Sequence, residues 1–421
     1  MNLFLQSSIV NPKSAIKISG SKSETNRLLL LQALYPNLIL ENTSNSDDSE
    51  VMHKALLSSK DSDCHTELVE VHHAGTAMRF LTAYFAIQEN KEVVLSGSSR
   101  MKERPIKILV DALRQLGAEI TYEENEGFPP IRIKGKKLSQ YKVSLPANIS
   151  SQYISALLLI APKLENGLEL TLEGKITSVP YIKMTLSLLN EIGVETSFVD
   201  NKITIKPAVT LSAVEGQQFI TVESDWSSAS YFYSIIALSK IGTEITLSSY
   251  KENSLQGDSV LAEIYKDFGV ETRFEDNYIF LRKTDNRQPT TDNYQLNNSP
   301  DIAQTIAVTC FGLGLGCHLT GLHTLKIKET DRLSALKKEL EKLGAMVTVS
   351  DDSLTLEPAS KINQNITVKT YQDHRMAMAF APLALKVPLT IEEAEVVSKS
   401  YPAFWEDSKS IGFKIQETKA N

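Results

Sequence analysis

Cysteine is scarce in this chain. There are three in 421 residues, Cys64, Cys310 and Cys317. An odd count at spacings that fit no ligand pattern excludes a disulfide framework and a zinc site. Cys310, in the apolar run 306–313, reads as a small core residue. Long apolar runs are also missing, and none approaches the roughly 20 residues of a membrane helix. The N-terminus carries no signal-peptide pattern, so the expected compartment is the cytoplasm. Positive charge is not in excess: 44 Lys and Arg stand against 51 Asp and Glu, a net −7, with no long basic run. That excludes a general nucleic-acid surface, and an anionic ligand would need a local cationic pocket. The rest of the composition, 42% hydrophobic and 23% charged, suits a soluble globular chain, and the length suits two domains or one large repeated one.

What the chain has is a repeat. Four segments share one shape, an amphipathic helix ending in Leu, Ile or Phe and then Gly, followed by strand, turn and strand. Their glycines, Gly117, Gly193, Gly269 and Gly344, are 76, 76 and 75 residues apart, and Gly412 is a fifth at shorter spacing. Glycine there is what a left-handed helix cap needs. A second series interleaves with the first. Short polar starts precede apolar helices at Ser21, Gly75, Ser150, Asp225, Asp301 and Asp373, recurring every 72 to 76 residues from the second on. Helices apolar nearly all round are buried. The pattern therefore implies six copies of one α/β unit, each with an inner and an outer helix. Inner helices that start in Ser, Thr, Asp or Gly suggest a shared polar centre, and helix N-termini favour anions. The expectation is a phosphorylated or doubly anionic small substrate.

The densest cluster of charge is Lys326-Ile-Lys328-Glu329-Thr-Asp-Arg332. With a helix starting near Glu329, Lys328 and Arg332 share a face one turn apart. A carboxylate flanked by fixed cations can move a proton while the cations hold an anion; the alternative is a solvated ion pair worth little. Ile18-Ser-Gly20-Ser-Lys22-Ser-Glu-Thr-Asn-Arg27 suits a phosphate nest at a helix start, although it is not a P-loop. The plain alternative is a capped helix with surface cations. Gly75, after His72 and His73, allows close backbone approach to a ligand. Arg100-Met-Lys-Glu-Arg104-Pro opens an outer helix near Pro105, where three cations oppose the helix dipole and call for an anion. Ser150, Ser151 and Gln152 offer donors, and Tyr181 sits one repeat beyond Arg100. Asp301 reads as a helix cap or a functional carboxylate, and His374 as a structural histidine or a base. The midpoint, between Thr221 and Asp225, is the expected domain boundary.

Taken together, Gly20-Ser-Lys-Ser, Ala74-Gly-Thr-Ala-Met-Arg79, Arg100-Met-Lys-Glu-Arg-Pro, Ser150-Ser-Gln, Lys328-Glu-Thr-Asp-Arg332 and Asp373-His-Arg-Met-Ala-Met resemble, in order, the 5-enolpyruvylshikimate-3-phosphate synthases. That family is the 3-phosphoshikimate 1-carboxyvinyltransferases. The resemblance spans nearly the whole chain. It implies the enolpyruvyl transferase fold, a two-domain inverse α/β barrel of six repeated units. Residues 20–224 would form one domain, and 1–19 with 225–421 the other, with the active site in the cleft between them. The implied reaction moves the enolpyruvyl group of phosphoenolpyruvate to the 5-hydroxyl of shikimate 3-phosphate and releases phosphate, on the way to chorismate and the aromatic amino acids. It implies no metal and no cofactor, a monomer, and inhibition by glyphosate.

By matched position, Lys22, Ser23, Arg27, Ser150, Ser151, Gln152, Ser178, Tyr181, Asp301 and Lys328 are implied to hold shikimate 3-phosphate. Lys22, Gly75, Arg100, Gln152, Arg332, Arg375 and Lys399 are implied to hold phosphoenolpyruvate. Asp301 is the implied base toward the 5-hydroxyl. Glu329 with Lys22 is the implied proton shuttle at the methylene, and Arg104 and Glu329 are implied to brace the site. His73, Phe80, Glu24, Trp226 and Thr324 depart from the family's usual residues, and Phe80 is expected to shift Gly75 and alter glyphosate sensitivity. The nearest rival, UDP-N-acetylglucosamine enolpyruvyl transferase, carries a loop cysteine that the stretch 97–104 lacks. A non-catalytic phospho-metabolite binder is the rival from another class.

Overall fold

The computed structural model describes residues 1–7, 15–58, 66–174, 176, 179–208, 216–287, 289–328 and 330–418. The chain divides into two compact units, Gly20–Val222 and Met1–Ser19 with Glu223–Asn421.

In the unit Gly20–Val222 the inner helices are Lys22–Leu34, Gly75–Ala86 and Ser151–Ile160, and they pack on one another. Eleven of the 12 residues of Gly75–Ala86 are buried, so this helix has almost no solvent face. Each inner helix is the crossover of a parallel βαβ step where two strands flank it. Glu67–Glu70 pairs in parallel with Glu92–Ser96 around Gly75–Ala86, and Lys142–Pro146 with Leu168–Glu173 around Ser151–Ile160. An outer helix and an antiparallel hairpin then complete each four-stranded sheet.

The unit containing Glu223–Asn421 repeats this plan. Its inner helices, Trp226–Leu238, Ala303–Leu313 and His374–Phe380, also pack on one another. Ser230 and Thr305 meet at 3.0 Å, and Thr309 donates to Ser234 at 2.7 Å. Each pair is 75 residues apart, the repeat period, so matching positions of successive repeats face each other. The last sheet has a third strand from elsewhere in sequence. The N-terminal strand Asn2–Ser7 lies antiparallel between Leu389–Ile391 and Phe413–Thr418.

The outer-helix glycines all adopt positive φ, +103° at Gly117, +91° at Gly193, +69° at Gly269, +101° at Gly344 and +107° at Gly412. A Cβ is strained there, which is why the repeat carries glycine at this point. Cys310 and Cys317 are buried free thiols; Cys64 lies outside the described residues.

Two expected helix starts are corrected. The helix after Lys328 begins at Arg332, because the Asp331 side chain caps it by accepting from the Ser334 N–H at 3.1 Å. Lys328 therefore precedes the helix and shares no helical face with Arg332. Likewise Arg100 and Lys102 lie in a short separate helix, Ser99–Lys102, and the outer helix begins at Lys107. Arg100 is exposed and paired with Glu103 at 2.6 Å, which removes the dipole argument for an anion there.

Candidate functional site

In the unit Gly20–Val222, Arg27 is the most deeply held cation, only 2% exposed. Its Nε donates to Thr185 Oγ1 at 2.8 Å, Nη2 to Ser155 Oγ at 3.0 Å and Nη1 to the Ser23 carbonyl at 2.6 Å. All three acceptors are neutral. The guanidinium carbon lies 5.5 Å from the Phe80 ring and 6.0 Å from the Tyr181 ring. Burial pulls the Arg27 pKa down to about 10. Arg27 thus keeps its charge at neutral pH with no carboxylate hydrogen-bonded to its nitrogens among the described residues. Phe80 is consequently tied to Arg27 as well as to the helix that Gly75 opens.

Lys22 lies 3.3 Å from Asp48, and His73 Nε2 is 3.8 Å from the same carboxylate. At Gly20 an added Cβ would stand 2.0 Å from the Asn42 carbonyl oxygen, so its bare Cα serves close chain packing. Gly75 is crowded by cations instead. A Cβ there would stand 2.5 and 2.7 Å from the Arg104 guanidinium nitrogens and 2.7 Å from Arg79 Nη1. Arg79, 5% exposed, donates to the Gly75 carbonyl at 2.7 Å and lies 5.4 Å from the Tyr153 ring. Tyr153 donates to the Pro105 carbonyl at 2.5 Å, and Gln152 to Thr76 Oγ1 at 3.0 Å. These bonds bring Gly75, Arg79, Arg104 and Gln152 together. Ser150 caps its helix by accepting from the Gln152 N–H at 3.4 Å, and Ser151 is buried beside it. Ser178 lies outside the described residues.

The unit containing Glu223–Asn421 holds a compact charge cluster. Asp301 Oδ1 accepts from Arg332 Nη1 at 2.8 Å and lies 3.5 Å from Lys328 Nζ. Its Oδ2 is 3.3 Å from Arg375 Nη2, and its carbonyl accepts from Arg375 Nη1 at 3.2 Å. Three cations therefore converge on one carboxylate, and among the described residues neither Pro300–Ile302 nor Ala303–Leu313 has a side-chain cap. Arg332, 2% exposed, is also bound through Nε to the fully buried Asp373 at 2.6 Å. Asp373 in turn caps the following helix by accepting from the Arg375 N–H at 2.8 Å. Lys399 donates to the Gln372 carbonyl at 2.8 Å. His374 is buried, with Nδ1 3.9 Å from Asp373. Glu329 lies outside the described residues.

Sequence reasoning missed Asp48, the roles of Asp373 and Arg79, and two residues behind Arg375, Ser227 and Asp258. Asp373 was signalled by its place before His-Arg. Nothing in the local sequence around Asp258 marks it.

The EPSP synthase family, 3-phosphoshikimate 1-carboxyvinyltransferase, matches residues 8–407. This chain belongs to that family. A 3-phosphoshikimate 1-carboxyvinyltransferase of Bacteroides fragilis is 44% identical over 409 residues, covering 96% of both chains. One of Haemophilus influenzae is 35% identical, covering 96% of this chain and 97% of its own. Among solved structures, EPSP synthase from Acinetobacter baumannii superposes with a TM-score of 0.80 at 21% identity over 99% of this chain and all of its own. The enolpyruvyl transferase NikO of Streptomyces tendae gives 0.70 at 14% identity over 100% of this chain and 99% of its own. The fold is accordingly the enolpyruvyl transferase fold.

Proposed function

We propose that this chain is a 3-phosphoshikimate 1-carboxyvinyltransferase. It transfers the enolpyruvyl group of phosphoenolpyruvate to the 5-hydroxyl of shikimate 3-phosphate and releases phosphate. The family match and the relatives' names support the activity. The structural observation that carries the reading is the Asp301 carboxylate gripped by Lys328, Arg332 and Arg375. It combines, in one cluster, a carboxylate able to take a proton and cations able to take an anion.

The chemistry follows from that cluster. With no substrate, the cations occupy both oxygens of Asp301. An arriving phosphoenolpyruvate anion competes for Arg332 and Arg375, and Asp301 is then released to accept the 5-hydroxyl proton. Protonation of the enol methylene makes the adjacent carbon electrophilic. The hydroxyl oxygen adds, and the tetrahedral intermediate loses phosphate as a proton leaves the methyl group. Lys22 and Glu329 are assigned to that methylene proton. Ser23, Arg27, Ser150, Ser151, Gln152, Ser178 and Tyr181 are assigned to shikimate 3-phosphate, with Lys22, Asp301 and Lys328. Lys22, Gly75, Arg100, Gln152, Arg332, Arg375 and Lys399 are assigned to phosphoenolpyruvate. Arg104, which stands over Gly75, is a better-placed cation than the exposed Arg100. The reading takes the two units as two domains of three repeats and the protein as a cytoplasmic monomer without cofactor.

The test is phosphate release from phosphoenolpyruvate with and without shikimate 3-phosphate. Release that needs both substrates is expected. Both ligands bound without turnover would leave only a binding protein.

Gly75→Ala probes the first unit. A methyl group at 2.5 to 2.7 Å from three guanidinium nitrogens must displace Arg104 or Arg79. The expected result is a KM for phosphoenolpyruvate raised about tenfold, the equivalent of one charge-assisted hydrogen bond, with the KM for shikimate 3-phosphate unchanged. Steady-state kinetics with each substrate varied decides it, and an unchanged phosphoenolpyruvate KM refutes it.

A further inference from the structure

We propose that Asp258, acting through Ser227, is a positioning residue that holds the Arg375 guanidinium ready for the substrate anion. The inference rests on the reading that Arg375 takes phosphoenolpyruvate.

The two arginines of the charge cluster are held differently. Arg332 has contacts of 2.6 and 2.8 Å to two carboxylates. Among the described residues Arg375 has only long ones, 3.2 Å to the Asp301 carbonyl, 3.3 Å to Asp301 Oδ2 and 3.3 Å to Ser227 Oγ. Its buried Nε has no hydrogen-bond partner among the described residues, and its side chain remains 11% exposed. Arg375 is therefore the looser cation, and something must keep it aimed.

Ser227 supplies that aim. A hydroxyl has one proton to give and lone pairs to receive. The Ser227 proton goes to Asp258 Oδ2 in a short contact, which turns a lone pair of the same oxygen toward Arg375 Nη2. Without the acceptor at Asp258 the hydroxyl is free to rotate, and Arg375 loses a partner. Asp258 is itself placed by a regular device. Alternate residues of one loop grip successive points of the segment that starts the inner helix. Ser254 donates to Glu223 at 2.7 Å. Gln256 accepts from the Trp226 N–H at 3.0 Å and donates to the Ser224 carbonyl at 2.9 Å. Asp258 takes Ser227.

A carboxylate here is costly to the fold. Burial, and next the negative charge of Asp301, push the Asp258 pKa up to about 7; Arg375 and Ser227 pull the other way, and Asp225 adds a second repulsion. Glu223, the remaining acid of this segment, is bound to Ser254, Trp226 and the Lys251 N–H. An acid whose pKa is raised in the folded state withholds stability as pH climbs from the ordinary carboxylate range to about 7. A purely structural role predicts the reverse, with the fold relying on the ionised group.

The experiment uses Ser227→Ala, Asp258→Ala, Asp258→Asn and Arg375→Ala in the full chain, with kcat, the KM for each substrate, and melting temperatures at pH 5.5 and 8. Ser227→Ala and Asp258→Ala are expected to raise the phosphoenolpyruvate KM about tenfold. kcat and the shikimate 3-phosphate KM stay within twofold. Asp258→Asn, which keeps an acceptor for Ser227, recovers most of the loss, and its melting temperature relative to the parent is higher at pH 8 than at pH 5.5. Adding Asp258→Ala to Arg375→Ala raises KM no further, because the effect runs through Arg375. If Arg375→Ala itself leaves that KM unchanged, the assignment of Arg375 to the anion fails, and the inference with it. If Arg375→Ala raises it while Ser227→Ala and Asp258→Ala behave as the parent, the inference alone is overturned. Equal losses in both KM values and in kcat also overturn it. Should Asp258→Ala not fold, Ser227→Ala carries the KM test, overturning the inference if its phosphoenolpyruvate KM equals the parent's, and Asp258→Asn carries the melting test.

Discussion

Asp301→Asn is expected to lower phosphate release by about a thousandfold, the middle of the range for losing a general base. Asparagine retains the shape and an acceptor for Arg332, now 2.8 Å from Asp301 Oδ1, but cannot take the hydroxyl proton. Asp301→Ala goes further. It leaves Lys328, Arg332 and Arg375 facing each other, with Asp373 bound to Arg332 alone among them. Breaking a buried charge arrangement by removing one partner costs about 3–5 kcal/mol. The alanine variant should therefore melt well below the parent, and inorganic phosphate should raise its melting temperature more than the parent's, since ligands of the native state stabilise by mass action. Phosphate-release rates and thermal melts with and without phosphate check both claims. Turnover of Asp301→Asn within tenfold of the parent would remove Asp301 from the role of base.

Arg27→Met is expected to raise the KM for shikimate 3-phosphate at least about a hundredfold, since several charge-assisted contacts to one anion are lost together. The fold should tolerate the change. A base whose pKa is lowered in the folded state withholds stability at every pH below that value, and recovers it only as pH rises through about 10. At neutral pH the charge thus costs on the order of 3 kcal/mol. Methionine removes that cost and forfeits three hydrogen bonds to neutral acceptors. Ser155 and Thr185 remain paired with each other at 2.9 Å, so the site is not left with two orphaned hydroxyls. The variant is expected to melt within a few degrees of the parent, while shikimate 3-phosphate raises the parent's melting temperature and not the variant's. A KM within threefold of the parent would show that Arg27 does not hold this substrate.

Three residues show where local pattern was sufficient and where it failed. Gly269 was readable because a left-handed cap depends on one residue's φ, here +69°, and the preceding helix is adjacent in sequence. Arg332 was readable as a cation of the site, but not its partners. Its helix start was misplaced by three residues because Asp331 competes successfully for the cap. Asp258 was invisible, because its meaning comes only from Ser227, Arg375 and Asp301, which lie 31, 117 and 43 residues away in sequence.

By itself the sequence determined the sixfold α/β repeat, the inner and outer helices, and the family resemblance, because caps, apolar periodicity and contiguous motifs are short-range properties of the chain. Tertiary structure decided which charges meet. It set Asp301 among three cations, filled the space over Gly75 with Arg104 and Arg79, closed Gly20 against Asn42, and slotted the N-terminal strand into the last sheet. Ion pairs and strand pairing act through space, and the free energy of a buried charge depends on everything folded around it.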